Sequence, residues 1–140
     1  MKHRKLTLVL GTVMALGAAT FGARALQAQQ PAFKRVPLQT HDISIPNHEI
    51  VQVRGEFAPG AAVPKHTHPG EEVGYILEGT VTFELEGKPP MTLKAGEAFF
   101  IPAGHVHAAK NTGTGEAKVL STYIVEKGKP LATTVPEKKK

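Results

Sequence analysis

The chain has 140 residues, with seventeen lysines and arginines, twelve aspartates and glutamates, and a formal net charge of +5. That length suffices for one domain with one hydrophobic core and is too short for two. The sequence contains no cysteine, which excludes disulfide bonds, thiolate metal ligands and lipid attachment at a cysteine.

Residues 1–28 have the pattern of a secretory signal peptide. A basic start over residues 1–5 precedes an apolar run over residues 6–21, and small residues suited to cleavage follow. Cleavage is expected after Ala25 or Ala28, and the sequence does not select between the two. The alternative is a transmembrane anchor, but the apolar run is shorter than the roughly twenty residues that span a bilayer. We therefore expect export to the periplasm or the extracellular space, with no stable membrane anchor.

The positive charge lies mainly at the two ends of the chain. Four basic residues belong to the predicted signal peptide, and three more are the consecutive lysines 138–140. No basic face with interleaved aromatic residues remains, so a nucleic-acid partner is not expected. The terminal lysines are interpreted as a solvated tail within residues 128–140, with a role at a membrane surface as the alternative.

Between these ends, the pattern predicts short β-strands separated by turns. Residues 29–45 alternate irregularly and are interpreted as an N-terminal arm or an edge strand. Residues 72–78 and 80–86 alternate well on either side of Gly79, which predicts a hairpin. No segment after the signal peptide has convincing helical periodicity. Residues 46–127 are therefore predicted to form a single all-β sandwich or barrel.

Three histidines and one glutamate are candidate metal ligands. His66 and His68 are one residue apart, so in a strand their side chains share a face. Glu72 lies at an even offset from both, and His107 follows a Pro-Ala-Gly turn that redirects the chain. Imidazoles and a carboxylate bind borderline divalent cations. The alternative is that the histidines lie on surface turns.

The spacing of these residues is more specific than their identity. Ten residues at fixed spacings form two signatures, which together are a strong motif. The first signature comprises Gly60, His66, His68, Glu72 and Gly79. The second comprises Gly96, Pro102, Gly104, His107 and Asn111. These residues match the two signatures of the cupin superfamily at every fixed position, so the chain resembles a small single-domain cupin over residues 51–125.

The resemblance implies a double-stranded β-helix barrel that holds one divalent transition metal, either iron, manganese, nickel, copper or zinc. The implied ligands are His66, His68, Glu72 and His107. Four protein ligands leave one or two coordination positions free, which is typical of a catalytic metal. Because the site is rich in nitrogen, isolated protein is expected to carry copper, nickel or zinc, whichever was available. The resemblance also implies a homodimer, formed by sheet packing and exchange of an N-terminal strand within residues 33–45.

These features predict a metal-dependent enzyme that acts on a small chelating enol, hydroxy-keto or sugar-like metabolite. Dioxygenase or other oxidoreductase chemistry is the first expectation, and lyase or isomerase chemistry is the second. Glu72 is the candidate base, because a carboxylate changes its mode of metal binding more readily than an imidazole does. The alternative is a module that binds a metal or small ligand without turnover.

Further residues are assigned to the substrate pocket. His105 has the same parity as His107 and is a candidate proton-transfer group at the pocket mouth, with a rim histidine as the alternative. Arg54 is the candidate for binding a substrate carboxylate, with an outward salt bridge to Glu56 or Glu84 as the alternative. Aromatic candidates for the pocket wall are Tyr75, Phe83 and Phe100.

Overall fold

The computed structural model describes residues 32–136, which form ten β-strands and no helix. The strands are β1 (Phe33–Asp42), β2 (His48–Phe57), β3 (Ala62–Thr67), β4 (Glu71–Glu78), β5 (Thr80–Leu85), β6 (Met91–Lys94), β7 (Ala98–Ile101), β8 (His107–Asn111), β9 (Ala117–Glu126) and β10 (Thr133–Thr134). Within this part of the chain no helix is long and apolar enough to cross a membrane. The predicted signal peptide and the terminal lysines lie outside the described residues.

The strands form two antiparallel five-stranded sheets. The first sheet has the order β1-β2-β9-β4-β7, and the second has the order β10-β3-β8-β5-β6. In β9 every second residue from Ala117 to Val125 is buried. This strict alternation gives the first sheet one buried face. One apolar core joins both sheets, with Ile76 and Ile101 from the first and Val81 from the second almost fully buried. The predicted all-β, double-stranded β-helix fold is confirmed.

Gly79 forms the predicted turn between β4 and β5. Its φ of 78° lies in the left-handed region that favours glycine. A Cβ at this position would lie 2.5 Å from the backbone oxygen of Glu116 and 2.8 Å from the Cα of Ala117. Both the backbone angle and the close approach of the neighbouring chain therefore require glycine here.

The two ends of the described chain are more ordered than the sequence pattern suggests. The N-terminal segment forms β1, which pairs with β2 of the same chain from Phe33 to Asp42 and is the edge of the first sheet. At the other end, Thr133 and Thr134 pair with β3, and the Val135 amide donates to the Lys65 carbonyl at 2.9 Å. Part of the predicted tail therefore belongs to the second sheet.

Candidate metal centre

The four predicted ligands come from adjacent positions in both sheets. His66 on β3 pairs directly with His107 on β8, and His68 follows β3. Glu72 on β4 belongs to the first sheet and lies opposite Tyr123 of β9. All four side chains are buried, with 2–7% of each residue exposed. Burial of so many polar groups at one point indicates a shared partner, since buried polar atoms are otherwise costly.

The imidazoles of His66, His68 and His107 are close enough to share one ion. One nitrogen from each lies within 4.8 Å of the other two. Two nitrogens that each lie about 2.1 Å from one ion are at most about 4.2 Å apart, so these nitrogens would have to approach one another by no more than about 0.6 Å to share a cation. The three buried histidines could therefore bind a metal.

Backbone carbonyls fix the tautomer of each imidazole. The Nδ1 of His66 lies 2.8 Å from the Pro64 carbonyl oxygen, and the Nδ1 of His107 lies 2.9 Å from that of His105. The Nδ1 of His68 lies 2.6 Å from the carbonyl oxygen of Leu131. A carbonyl only accepts, so each Nδ1 carries a hydrogen and donates it. In the neutral imidazole Nε2 then keeps a lone pair, which is the state that a metal requires.

Glu72 places a negative charge beside two of these nitrogens. Its Oε2 lies 3.2 Å from the Nε2 of His68 and 3.5 Å from the Nε2 of His107. Within residues 32–136, the buried Nε2 of His68 has no hydrogen-bond partner. An imidazole lone pair facing a carboxylate oxygen is unfavourable unless a cation or a proton lies between them. The residues present therefore fit a divalent metal.

The environment sets the protonation of the site. Burial lowers the pKa of His66 to about 4, so this imidazole is neutral at pH 7. Burial alone would raise the pKa of the Glu72 carboxyl, but the neighbouring polar side chains of His107, His68 and Ser121 outweigh burial and lower the pKa below its usual range. Glu72 is therefore a carboxylate. A metal ion at the imidazole nitrogens would balance its charge.

A cavity of about 40 Å³ adjoins the ligands. His66, Glu72 and His107 contribute to its wall, together with Phe83 from β5. A single water molecule needs roughly 10–15 Å³ of such volume, so there is room for a small ligand of few atoms. A small molecule in this cavity would therefore lie beside His66, Glu72 and His107.

Tyr123 also lines the cavity, and its ring centroid lies 4.6 Å from that of His68. Burial and the negative charge of Glu72 raise the pKa of the Tyr123 phenol. The hydroxyl therefore stays protonated at neutral pH and can donate a hydrogen bond. Ser121, two residues earlier on the same face of β9, is a second hydroxyl in the wall.

Of the predicted pocket residues, Phe83 lines the cavity and three others do not. Arg54 donates instead to Glu56 Oε1, at 2.9 Å from Nε and 2.7 Å from Nη2. This contact is the outward salt bridge that was the alternative prediction for Arg54. Tyr75 and Phe100 are 45% and 55% exposed on the outer face of the first sheet. Side chains an odd number of residues apart on a strand point to opposite faces. Glu72 faces inward on β4, so Tyr75 faces outward, contrary to the prediction that it lines the pocket.

His105 lies outside the cavity wall. Its Nε2 is 3.0 Å from the backbone oxygen of Glu86, so the ring is engaged away from the ligands. Its own carbonyl accepts from Nδ1 of His107. The position of the ring does not support the predicted proton-transfer role. His105 contributes through its backbone carbonyl, which orients the candidate metal ligand His107.

Among the residues of the cavity wall that sequence reasoning missed are Ser121, Tyr123, Phe33 and Arg35. Ser121 and Tyr123 could have been found from the sequence. Both occupy inward-facing positions in the alternation of β9, where a side-chain hydroxyl is unusual. Phe33 and Arg35 had no such signal, because β1 lies before the predicted barrel and reaches the cavity only by pairing with β2.

The contact between Leu131 and His68 makes the C-terminal segment part of the site. We expect a chain that ends at Lys127 to bind metal about 10–100-fold more weakly, because His68 loses the carbonyl that fixes its tautomer. Competition with a chromophoric chelator measures this affinity. A chain that ends at Pro136 keeps β10 and is the matched control, and equal affinities for the two truncations would contradict the role of Leu131.

Comparison with known proteins agrees with this architecture. Residues 53–123 match the family model described as a cupin domain. A germin-like protein of Arabidopsis thaliana (subfamily 2 member 2) is 44% identical over 78 residues, which cover 50% of this chain and 34% of that protein. An oxalate-binding protein of Thermotoga maritima is 37% identical over 73 residues, covering 51% of this chain and 60% of that protein.

Among solved structures, an oxalate oxidase in complex with the substrate analogue glycolate superposes with a TM-score of 0.60 at 25% identity. The superposition covers 74% of this chain and 55% of that one. The chain thus spans about a third of the germin-like protein and about half of the oxalate oxidase that it matches. The shared part is therefore the barrel domain, not the whole of either protein.

Proposed function

The chain belongs to the cupin family, and from that premise we propose that it is a metal-dependent enzyme acting on a small chelating metabolite. The observation that carries the proposal is the set of three buried imidazoles, each held through Nδ1 by a backbone carbonyl, beside the carboxylate of Glu72. A purely structural zinc site closes all its coordination positions with protein ligands. Here the ligands border a cavity instead.

The proposed ligands are His66, His68, His107 and Glu72. A bound metal would polarise an enol, hydroxyl or carbonyl oxygen of the substrate and lower its pKa. Glu72 is the base that accepts the released proton at a carboxylate oxygen. The Tyr123 hydroxyl donates a hydrogen bond to the oxygen that gains negative charge. Walls formed by Phe83 and the other apolar residues limit access of water.

Reconstitution tests this function. Chelator-stripped protein is loaded separately with iron, manganese, nickel, copper and zinc, and oxygen consumption and product formation are followed with oxalate, glycolate, diols, flavonols and keto-uronates. We expect one metal to support turnover and the others to occupy the site without it. Oxidase or dioxygenase chemistry would consume oxygen, and lyase or isomerase chemistry would form product without oxygen.

A binding module without turnover is the second candidate. The relative from Thermotoga maritima, named for oxalate binding, supports it. Saturable binding of a substrate-like anion by the metal-loaded protein, with no product from any metal in the panel, would favour this candidate and contradict the enzyme proposal.

We also propose that the protein is exported, on the strength of the basic, apolar and small-residue pattern of residues 1–28. Intact-mass measurement of the secreted protein is expected to give a chain starting at Leu26 or Gln29. Recovery of the chain in a membrane fraction with Met1 retained would contradict export by cleavage.

A homodimer is proposed through the outer face of the first sheet. Val73, Tyr75 and Leu77 alternate on β4, each 45% exposed, and Phe100 of β7 lies in register with Val73. Adjacent exposed apolar side chains of this size mark an interaction surface. We expect Tyr75→Lys to shift the protein from dimer to monomer in sedimentation velocity, whereas Thr92→Lys on the second sheet does not. A monomeric wild type at micromolar concentration would contradict the proposal.

A further inference from the structure

Arg35 is a cation at the edge of the cavity that no predicted role includes. It lies on β1 and lines the cavity together with His66, Glu72 and His107. Its partner across the sheet is Gly55 of β2, which also lines the cavity. Lys34, one residue earlier, has the opposite parity and lies 3.8 Å from Glu56. Arg35 is therefore the basic residue of β1 that lines the cavity, and it is an exposed residue.

Gly55 keeps space open beside Arg35. A Cβ at Gly55 would lie 3.1 Å from Cε2 of Phe33 and 3.2 Å from Cε2 of Phe57, which is tighter than ordinary contact. The two rings pack against each other with centroids 4.5 Å apart. A side chain at position 55 would push into these rings and into the cavity, so glycine preserves the opening next to the guanidinium.

The positive charge of Arg35 is not paired with a carboxylate within the described chain. Arg54 and Lys34 both pair with Glu56, whereas no ion pair to Arg35 forms among residues 32–136. The cavity's own carboxylate, Glu72, is engaged by the histidines. A divalent ion at the histidines would add positive charge, so the cavity as a whole attracts an anion.

We infer that Arg35 and the three-histidine centre form a two-point site for a small 2-hydroxy or 2-keto carboxylate. The guanidinium binds the carboxylate through paired N–H donors, and the neighbouring hydroxyl or keto oxygen faces the histidine nitrogens. The cavity of about 40 Å³ restricts the ligand to a few atoms. This inference rests on the proposed function and adds to it the chemical class of the substrate.

Calorimetric titration of zinc-loaded protein with lactate and with lactamide tests the inference. The two probes share a shape and a chelating pair of oxygens and differ in charge. We expect Arg35→Gln to weaken lactate binding about tenfold or more, because one charge-assisted pair is lost, and to leave lactamide binding and zinc content unchanged. Arg35→Lys should retain part of the affinity, since it keeps the charge without the fork of donors.

The matched control is Arg54→Gln, which removes an arginine of the same sheet that faces away from the cavity. It is expected to bind lactate as the wild type does. Wild-type lactate affinity in a zinc-loaded Arg35→Gln protein would overturn the inference, as would zinc-loaded wild type that binds no lactate, and both results leave the proposed metal function standing. If the wild type takes up neither zinc nor any other metal of the panel, the proposed function fails. A lactate affinity that is equal in metal-free wild type and metal-free Arg35→Gln then overturns the role of Arg35 as well.

Discussion

Replacement of His107 by alanine is expected to abolish stoichiometric metal binding. The substitution removes the Nε2 that lies 3.5 Å from Glu72 and leaves two imidazoles of the compact group. The same loss is expected for His66→Ala and His68→Ala. Thermal stability in the presence of metal should fall with it, since a ligand at 100 times its Kd stabilises the folded state by about 2.7 kcal/mol. Elemental analysis and melting curves with and without metal measure the two effects.

His48→Ala is the matched control for this experiment. The Nδ1 of His48 also lies 2.8 Å from a backbone carbonyl oxygen, that of Pro46, but His48 is outside the histidine cluster. Its replacement should leave metal content unchanged, as should replacement of His41. Full metal content in His107→Ala would contradict the assignment of the ligands.

Gly70→Ala is expected to be strongly destabilising. A Cβ at Gly70 would lie 1.9 Å from the carbonyl oxygen of Ile124 and 2.9 Å from the Cα of Val125. Both are backbone atoms of β9, so no side-chain rotation relieves the overlap and a strand has to move. Overpacking of this kind costs about 1–3 kcal/mol or more. Because Gly70 directly precedes β4, the displacement should also move Glu72 and reduce metal affinity.

Urea unfolding and metal titration of the Gly70→Ala protein test both effects. Gly115→Ala is the control, because nothing lies within 4 Å of a Cβ at that position and its backbone angle suits any residue. Unfolding midpoints for Gly70→Ala and Gly115→Ala that agree within error would show that the close approach of β4 and β9 is not a constraint.

The strands of the barrel were predictable where one face is buried. Alternation in β4, β5 and β9 and the turn at Gly79 follow from local sequence, and the two signatures identified the histidines that come together in the fold. The pocket assignments were weaker, although parity within β4 already separates Tyr75 from Glu72. The residue type alone does not show to which face of a strand an aromatic side chain points.

The parts that were not predictable depend on pairing between distant segments. Leu131 is 63 residues from His68, and its contribution is a backbone carbonyl, which every residue possesses. The two-residue strand β10 is too short to show any alternation. Arg35 reaches the cavity because β1 pairs with β2, and a basic residue in an irregular N-terminal segment gives no local sign of that.

The central claim is that three imidazoles and Glu72 hold one divalent metal. X-ray absorption spectroscopy at the edge of the metal found in protein from its native compartment, combined with elemental analysis, tests it most directly. We predict one metal ion per chain, with a first shell of nitrogen and oxygen only and the scattering pattern of about three imidazoles. A metal content well below one per chain with every ion offered, or a first shell without imidazole, would contradict the account.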